Sequence, residues 1–419
     1  MKYYGSPRWS GEILDCSMPM TFDTYSKCSY NCLYCFSYYQ KCHSLAGSNY
    51  QSHENPVTWV NIEKIKKLFS AQGREVNSQF RDYIDKKIFM QWGGLADQFD
   101  ENERKFGKTL ELLRFFKEIN YPLCFSTKAV WWLDDKRYTD LFKGQKNWNV
   151  KVSIINLDKR RSSLIECGVP PPAERIEALC KITKLNCGGA TLRLRPFMIG
   201  LSDVNDEYLS LIEQSAKAGA TAVSTEFFCL EQRAADDVKK RYKRMSGVLG
   251  YDIYNYYKNN STSVGYYRLS RKIKRPYVEK MKAACDKLGL RFYVSDAHFK
   301  EYCENGSCCG LASDCNYSRG QFTEAILIAR KNGEVKFSDI DKYLGMYKKF
   351  LWCSATGYNI GNVKVRTMRS KQTMYEYIKE CWNNPKSYKS PYRYFGGVLV
   401  PDRIDSEGNI VYKYVGDKI

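Results

Sequence analysis

Residues 27–36 read Lys27-Cys-Ser-Tyr-Asn-Cys-Leu-Tyr-Cys-Phe36, in which Cys28, Cys32 and Cys35 are spaced C-x3-C-x2-C with an aromatic, Tyr34, just before the last cysteine. Three thiolates on one short loop can hold three irons of a 4Fe-4S cluster and leave the fourth iron open to a substrate. A zinc site is the competing reading. It needs a fourth protein ligand, which Cys42 or His43 could supply. Chance clustering in a cysteine-rich chain is the third.

Outward from this loop the sequence alternates short β-branched or aromatic runs with longer amphipathic ones. Strands are expected at Met20 to Tyr25, Ile88 to Trp92, Leu123 to Thr127, Val150 to Ile155, Thr191 to Met198, Ala222 to Phe228 and Arg291 to Ser295. Helices are expected at Ile62 to Phe69, Glu103 to Ile119, Pro172 to Leu185, Asn205 to Ala218 and Pro276 to Leu288. Strand-then-helix order implies a parallel sheet covered by helices. The fold class is therefore α/β: a partial (β/α)6-type barrel over residues 1–300, with a basic, Tyr-rich insertion at 233–276 and a cysteine-bearing loop and C-terminal extension at 301–419. Chemistry in such folds sits on loops after the C-terminal strand ends. The cysteine triplet follows the first strand. After about residue 322 the alternation fades into a basic tail bearing Tyr and Trp.

Seventeen cysteines in 419 residues, about 4%, fall below the range of disulfide scaffolds. The count is odd, no apolar N-terminal run follows a basic start, and no stretch of eighteen apolar residues occurs. These features point to a reduced, cytoplasmic chain with no membrane partner. The net charge of +20 favours an anionic partner. Residues 233–282 carry fourteen Lys/Arg against four Asp/Glu, interleaved with Tyr242, Tyr251, Tyr254, Tyr256, Tyr257, Tyr266, Tyr267 and Tyr277. Basic side chains beside aromatic faces suit phosphates next to stackable bases; a solvated helix with its tyrosines on the core side is the plainer alternative.

The cysteine run with Tyr34 in place resembles the signature of the radical S-adenosylmethionine (SAM) enzymes. The resemblance implies that the open iron chelates the amino and carboxylate groups of SAM, and that an electron from the cluster cleaves SAM to a 5′-deoxyadenosyl radical. The second strand ends in Trp92-Gly-Gly-Leu-Ala-Asp97, similar to the Gly-Gly-Glu-like turn of that superfamily, with Asp97 where Glu would stand nearer. Gly94 to Glu103, Ser126-Thr-Lys-Ala129, Val152 to Asp158, Pro170 to Ala178 and Arg195 to Asp203 follow in an order that looks like the spore photoproduct lyase-like, DNA repair photolyase-related branch. The similarity spans roughly residues 15 to 300.

Carried onto this chain, the resemblance assigns Cys28, Cys32 and Cys35 to the cluster, Tyr34 to the adenine, and Gly93, Gly94 and Asp97 to the SAM amino end. Lys128 is expected at the SAM carboxylate, Ser153 and Arg195 at ribose or carboxylate. Glu226 would orient substrate or act as a base. The implied activity is hydrogen abstraction from a nucleotide, a modified nucleoside such as a queuosine-like one, or a nucleic acid, followed by lyase or repair-type bond cleavage. A reductant such as flavodoxin or ferredoxin is the implied electron donor. A second group, Cys303, Cys308, Cys309 and Cys315, could hold another Fe-S cluster or zinc. Alternatively Cys308 or Cys309 donates a hydrogen atom to a substrate radical, or the loop is only packing. The alternative functions are a radical SAM peptide-modifying enzyme with an auxiliary cluster, and a nucleic-acid-binding Fe-S protein.

Overall fold

The computed structural model describes residues 7–10, 14–38, 56–71, 75–76, 78, 80–232, 234–261, 266–348, 359–360, 363–364 and 372–416. Cys42 and His43 lie outside them. The chain divides into two compact units. One comprises Thr21–Gly73 and Met90–Phe292; the other comprises Arg8–Met20, Arg74–Phe89 and Tyr293–Ile419.

The larger unit is built on a sheet whose strands follow chain order: β1 (Met20–Phe22), β2 (Met90–Trp92), β3 (Leu123–Thr127), β4 (Trp148–Ser153), β5 (Gly189–Phe197), β6 (Ala222–Phe227) and β7 (Arg291–Val294). Adjacent pairs from β1 to β6 are parallel. Helices connect the strands, as parallel pairing requires, and the sheet is open among the described residues. The expected α/β order is met at all seven strands.

Side chains alternate across this sheet with the period of two that a pleated strand imposes. On the helix-covered face, Trp92 stacks on Phe125 at 5.5 Å, and Phe125 meets Phe142 at 5.1 Å and Trp148 at 5.6 Å. Such pairs contribute about 0.5–1.5 kcal/mol each beyond their buried area. The opposite face is polar. Lys151 lies between Ser126 and Thr191 in the register, and Arg193 between Ser153 and Ser224.

Two helices differ from expectation. The one expected over Glu103 to Ile119 is two, Glu101–Phe106 and Lys108–Glu118, because Gly107 takes a left-handed conformation (φ +65°) and ends the first. The helix expected to start at Pro276 starts at Arg271. Proline lacks only its own N–H, so an early position costs little where following turns pack. Val278, Met281 and Cys285 bury that face.

The segment 233–276 holds the helices Asp236–Leu249 and Ile253–Asn260 and a hairpin of Cys229–Glu231 with Tyr266–Arg268. Tyr242 and Tyr257 are buried in a cluster with Leu33, Ile155, Ile165, Met198 and Leu230. These two tyrosines are core, not stacking platforms.

Burial pushes the Glu231 carboxyl up to about 7. An unfolded chain ionises this group near pH 4.5, so between there and pH 7 rising pH favours unfolding, by about 3 kcal/mol once complete. Glu231→Gln should raise the melting temperature above wild type at pH 8, with the gap closing toward pH 4. Parallel melting curves at all pH values would contradict this.

The smaller unit is not a tail. Glu334–Val335, Leu399–Ile404 and Ile410–Tyr414 form an antiparallel sheet, packed with the helices Phe322–Asn332 and Met374–Trp382. Trp382 is fully buried, 5.1 Å from Tyr412 and 5.5 Å from Phe337. Its strands are short and its first is far in sequence from the other two, so no local period announces them.

Candidate functional site

The cysteine loop is held from three sides. Asn31–Cys32 pairs antiparallel with Glu166–Cys167, and the Leu33 amide donates to the Ile165 carbonyl at 2.8 Å. At the start of helix Glu101–Phe106, Asp100 accepts from the Ser29 amide, Ser29 Oγ accepts from the Glu101 amide at 3.2 Å, and Asn102 donates to the Lys27 carbonyl at 3.2 Å. From helix Asp236–Leu249, Arg241 donates to the Leu33 carbonyl at 3.3 Å, to Asn31 Oδ1 at 2.8 Å and to the Cys32 carbonyl. Its guanidinium lies 4.3 Å over the Tyr38 ring, whose hydroxyl donates to Asp237 at 2.7 Å.

Tyr34, expected at the adenine, sends its hydroxyl to Glu166 and has the Lys128 ammonium 5.7 Å from its ring centroid. Glu166 pairs with Arg175 at 2.7 Å with both side chains fully buried. Arg175 also donates to the Ser153 carbonyl at 2.7 Å and to Ser162 Oγ at 2.9 Å. Burial alone would raise the Glu166 carboxyl, but Arg175 and Lys128 outweigh it and hold it below its usual range.

The donor set fits an iron-sulfur cluster with an open iron. Three soft thiols occupy one fixed loop, and no group of three or more His, Cys, Asp or Glu among the described residues converges to hold a single ion. Burial pushes the Cys28 thiol up, aided by Asp100 and Asp97, and pushes Cys32 up to about 12 against the opposing pull of Lys128. Such thiols stay protonated until a cation displaces the protons.

The turn after β2 is tied to the same loop region. Asp23 Oδ1, just past β1, accepts from the Leu95 and Ala96 amides at 2.8 and 2.9 Å, and Ser37 donates to the Leu95 carbonyl. Gly93 has φ +87°, and a Cβ there would lie 2.1 Å from Gln98 Oε1 and 2.7 Å from the Ser126 carbonyl. Only glycine fits. Gly94 sits in the same turn. The Gln98 amide is 1% exposed, with neither its oxygen nor its nitrogen hydrogen-bonded. Asp97, expected at the SAM amino group, accepts from the Lys128 amide at 2.6 Å, the Phe99 amide at 3.0 Å and Thr127 Oγ1 at 2.8 Å. It fastens the turn to the end of β3.

The polar face continues across the sheet. Ser153, at the end of β4, accepts from Arg193 at 3.3 Å. Arg195 on β5 forms an ion pair with Glu226 on β6. Lys151 is buried and donates to Gln91 Oε1 at 2.5 Å. Asn156, three residues past β4, is buried with both side-chain polar atoms lacking a partner. Sequence reasoning missed Asp23, Gln98, Asn156 and Arg193. Arg193 was legible, since Thr191-Leu-Arg-Leu-Arg195 alternates basic and apolar residues and so places both arginines on one face.

The second cysteine group belongs to the smaller unit. The Cys308 and Cys309 sulfurs are 3.9 Å apart, and Cys303 Sγ accepts from the Val294 amide at 3.3 Å. Cys16, absent from the expected set, joins them: burial raises its thiol to about 12 and the Cys308 sulfur adds to the rise. The buried pair of Lys300 and Asp15, 3.2 Å apart, lies in the same region.

No family model and no curated protein matches this chain. Among solved structures, it is similar to spore photoproduct lyase complexed with dinucleoside spore photoproduct, at 15% identity and a TM-score of 0.48, covering 66% of this chain and 76% of that one. A double mutant of the same lyase with bound AdoMet and dinucleoside spore photoproduct gives 15% and 0.46, over 68% and 79%. SuiB of Streptococcus suis bound to S-adenosylmethionine gives 13% and 0.41, over 69% and 53%. No helix of the described residues is long and apolar enough to cross a membrane.

Proposed function

We propose that this chain is a radical SAM enzyme acting on an anionic nucleotide, modified nucleoside or nucleic acid by lyase or repair-type bond cleavage. The observation that carries the reading is the fixed loop of Cys28, Cys32 and Cys35 after the first strand of a parallel sheet whose uncovered face is polar and cationic. These thiols would hold a 4Fe-4S cluster, which when bound supplies the electron that cleaves SAM to a 5′-deoxyadenosyl radical.

The chain's own residues would do the rest. Gly93 and Gly94 bring backbone close to the ligand's amino end, and the Gln98 amide is left to meet a polar ligand group. Lys128 suits a carboxylate, because its ammonium is buried beside the loop. Ser153, Arg193 and Asn156 supply hydroxyl, guanidinium and amide groups for a ribose. Arg195 orients Glu226 by their ion pair, leaving the pair to face substrate. Cys308 or Cys309 would return a hydrogen atom to the product radical.

Anaerobically reconstituted protein with reductant and SAM should form 5′-deoxyadenosine, and one member of a panel of nucleosides, nucleotides and oligonucleotides should be converted. Iron-loaded protein that leaves SAM intact under reductant would reject the enzyme reading. Conversion of peptides alone would reject the substrate class.

A further inference from the structure

The proposed chemistry consumes one electron for each SAM cleaved, so the site must be reachable by a donor. Helix Asp236–Leu249 reaches the cysteine loop directly, since Arg241 donates to the carbonyls of Cys32 and Leu33. On the same helix Lys240, Lys243 and Arg244 are exposed, and no ion pair to any of the three is formed among the described residues. The helix's two acidic residues are engaged elsewhere, Asp236 with Lys239 at 3.3 Å and Asp237 with Tyr38.

A second basic element flanks the loop's other strand. Helix Lys159–Ile165 packs against helix Asp236–Leu249 and leads into Glu166–Cys167, the partner of Asn31–Cys32. Its Lys159 and Arg160 are exposed. Apolar side chains accompany the charge: Leu164 on that helix is 47% exposed, and Phe36, next to Cys35, is 40% exposed. A basic rim with a few exposed apolar anchors is how a surface receives an acidic protein.

We infer that the exposed face formed by Lys240, Lys243, Arg244, Lys159 and Arg160 around the cysteine loop is the docking surface for an acidic one-electron carrier protein. This rests on the cluster reading above. One electron passes from the carrier's reduced prosthetic group to the cluster; no bond is made or broken and no proton moves. Nucleic acid is the less suited occupant, because base stacking needs exposed aromatic faces. The one tyrosine of this helix, Tyr242, is core, and Tyr38 lies against the Arg241 guanidinium.

The test compares wild type with Lys240→Glu/Lys243→Glu/Arg244→Glu, both iron-loaded, in stopped-flow reduction by photoreduced flavodoxin, an acidic donor, and by reduced methyl viologen, a small cation. Reversing three charges should slow flavodoxin reduction about 10-fold or more at low ionic strength, with the two proteins converging at high salt. Reduction by the viologen should not slow. Equal flavodoxin rates and salt slopes would overturn the docking surface while leaving the cluster reading intact. Loss of single-stranded oligonucleotide binding with unchanged flavodoxin rates would assign the face to nucleic acid and overturn it equally. Wild-type protein that binds no iron under reconstitution would sink the cluster reading itself, and this inference with it.

Discussion

Alanine in place of Cys28, Cys32 or Cys35 should abolish iron loading and SAM cleavage together. Each change removes one thiolate of three, and water cannot replace a soft ligand on iron. The loop itself should survive: its fastening runs through backbone groups, Ser29, Asn31 and the Glu166–Cys167 ladder, none of which is a cysteine side-chain contact. The variants should therefore remain folded by circular dichroism while iron falls from roughly four per chain to background. Cys180→Ala, on the helix Pro172–Lys184, is the control and should retain its iron. A triple variant that still forms 5′-deoxyadenosine would reject the assignment of the metal ligands.

The second large effect concerns the buried pair of Glu166 and Arg175. Glu166→Gln leaves the Arg175 guanidinium, fully buried, without its countercharge. Breaking such a pair from one side costs about 3–5 kcal/mol. Because Glu166 also accepts from Tyr34 and lies in the strand that pairs with Asn31–Cys32, the damage should appear twice: as a lower urea midpoint and as faster loss of iron to a chelator. Arg175→Met should do likewise, since it strands the carboxylate. The depressed Glu166 pKa gives the sign of the pH dependence. The pair's contribution is present above the ordinary carboxyl range and is lost only as pH falls through the depressed value, so wild type and Glu166→Gln should converge in strong acid. Unaltered midpoints at neutral pH would show that Tyr34, Glu166 and Arg175 do not brace the loop.

Local pattern determined the frame of this protein. β3 and the helix Ile62–Phe69 lie where period and composition put them, and the C-x3-C-x2-C spacing places three thiols on one loop whatever the rest of the chain does. These features depend on neighbours in sequence, which the sequence displays. Only the tertiary structure decided what supports them. Asp23 caps a turn 72 residues away, Tyr34 reaches Glu166 across 132 residues, and Arg241 reaches Asn31 across 210. A basic run reads the same whether its arginine braces a loop or its lysines face solvent; the helix Asp236–Leu249 does both, and only packing separates Arg241 and Tyr242 from Lys240, Lys243 and Arg244. Asp97 makes the same point, because a carboxylate beside a glycine turn could meet a ligand or cap a strand end, and here backbone amides and Thr127 claim it. The smaller unit's sheet pairs Glu334–Val335 with Ile410–Tyr414, and strands that distant in sequence carry no local signature, since their stability comes from contacts made only after the chain has folded.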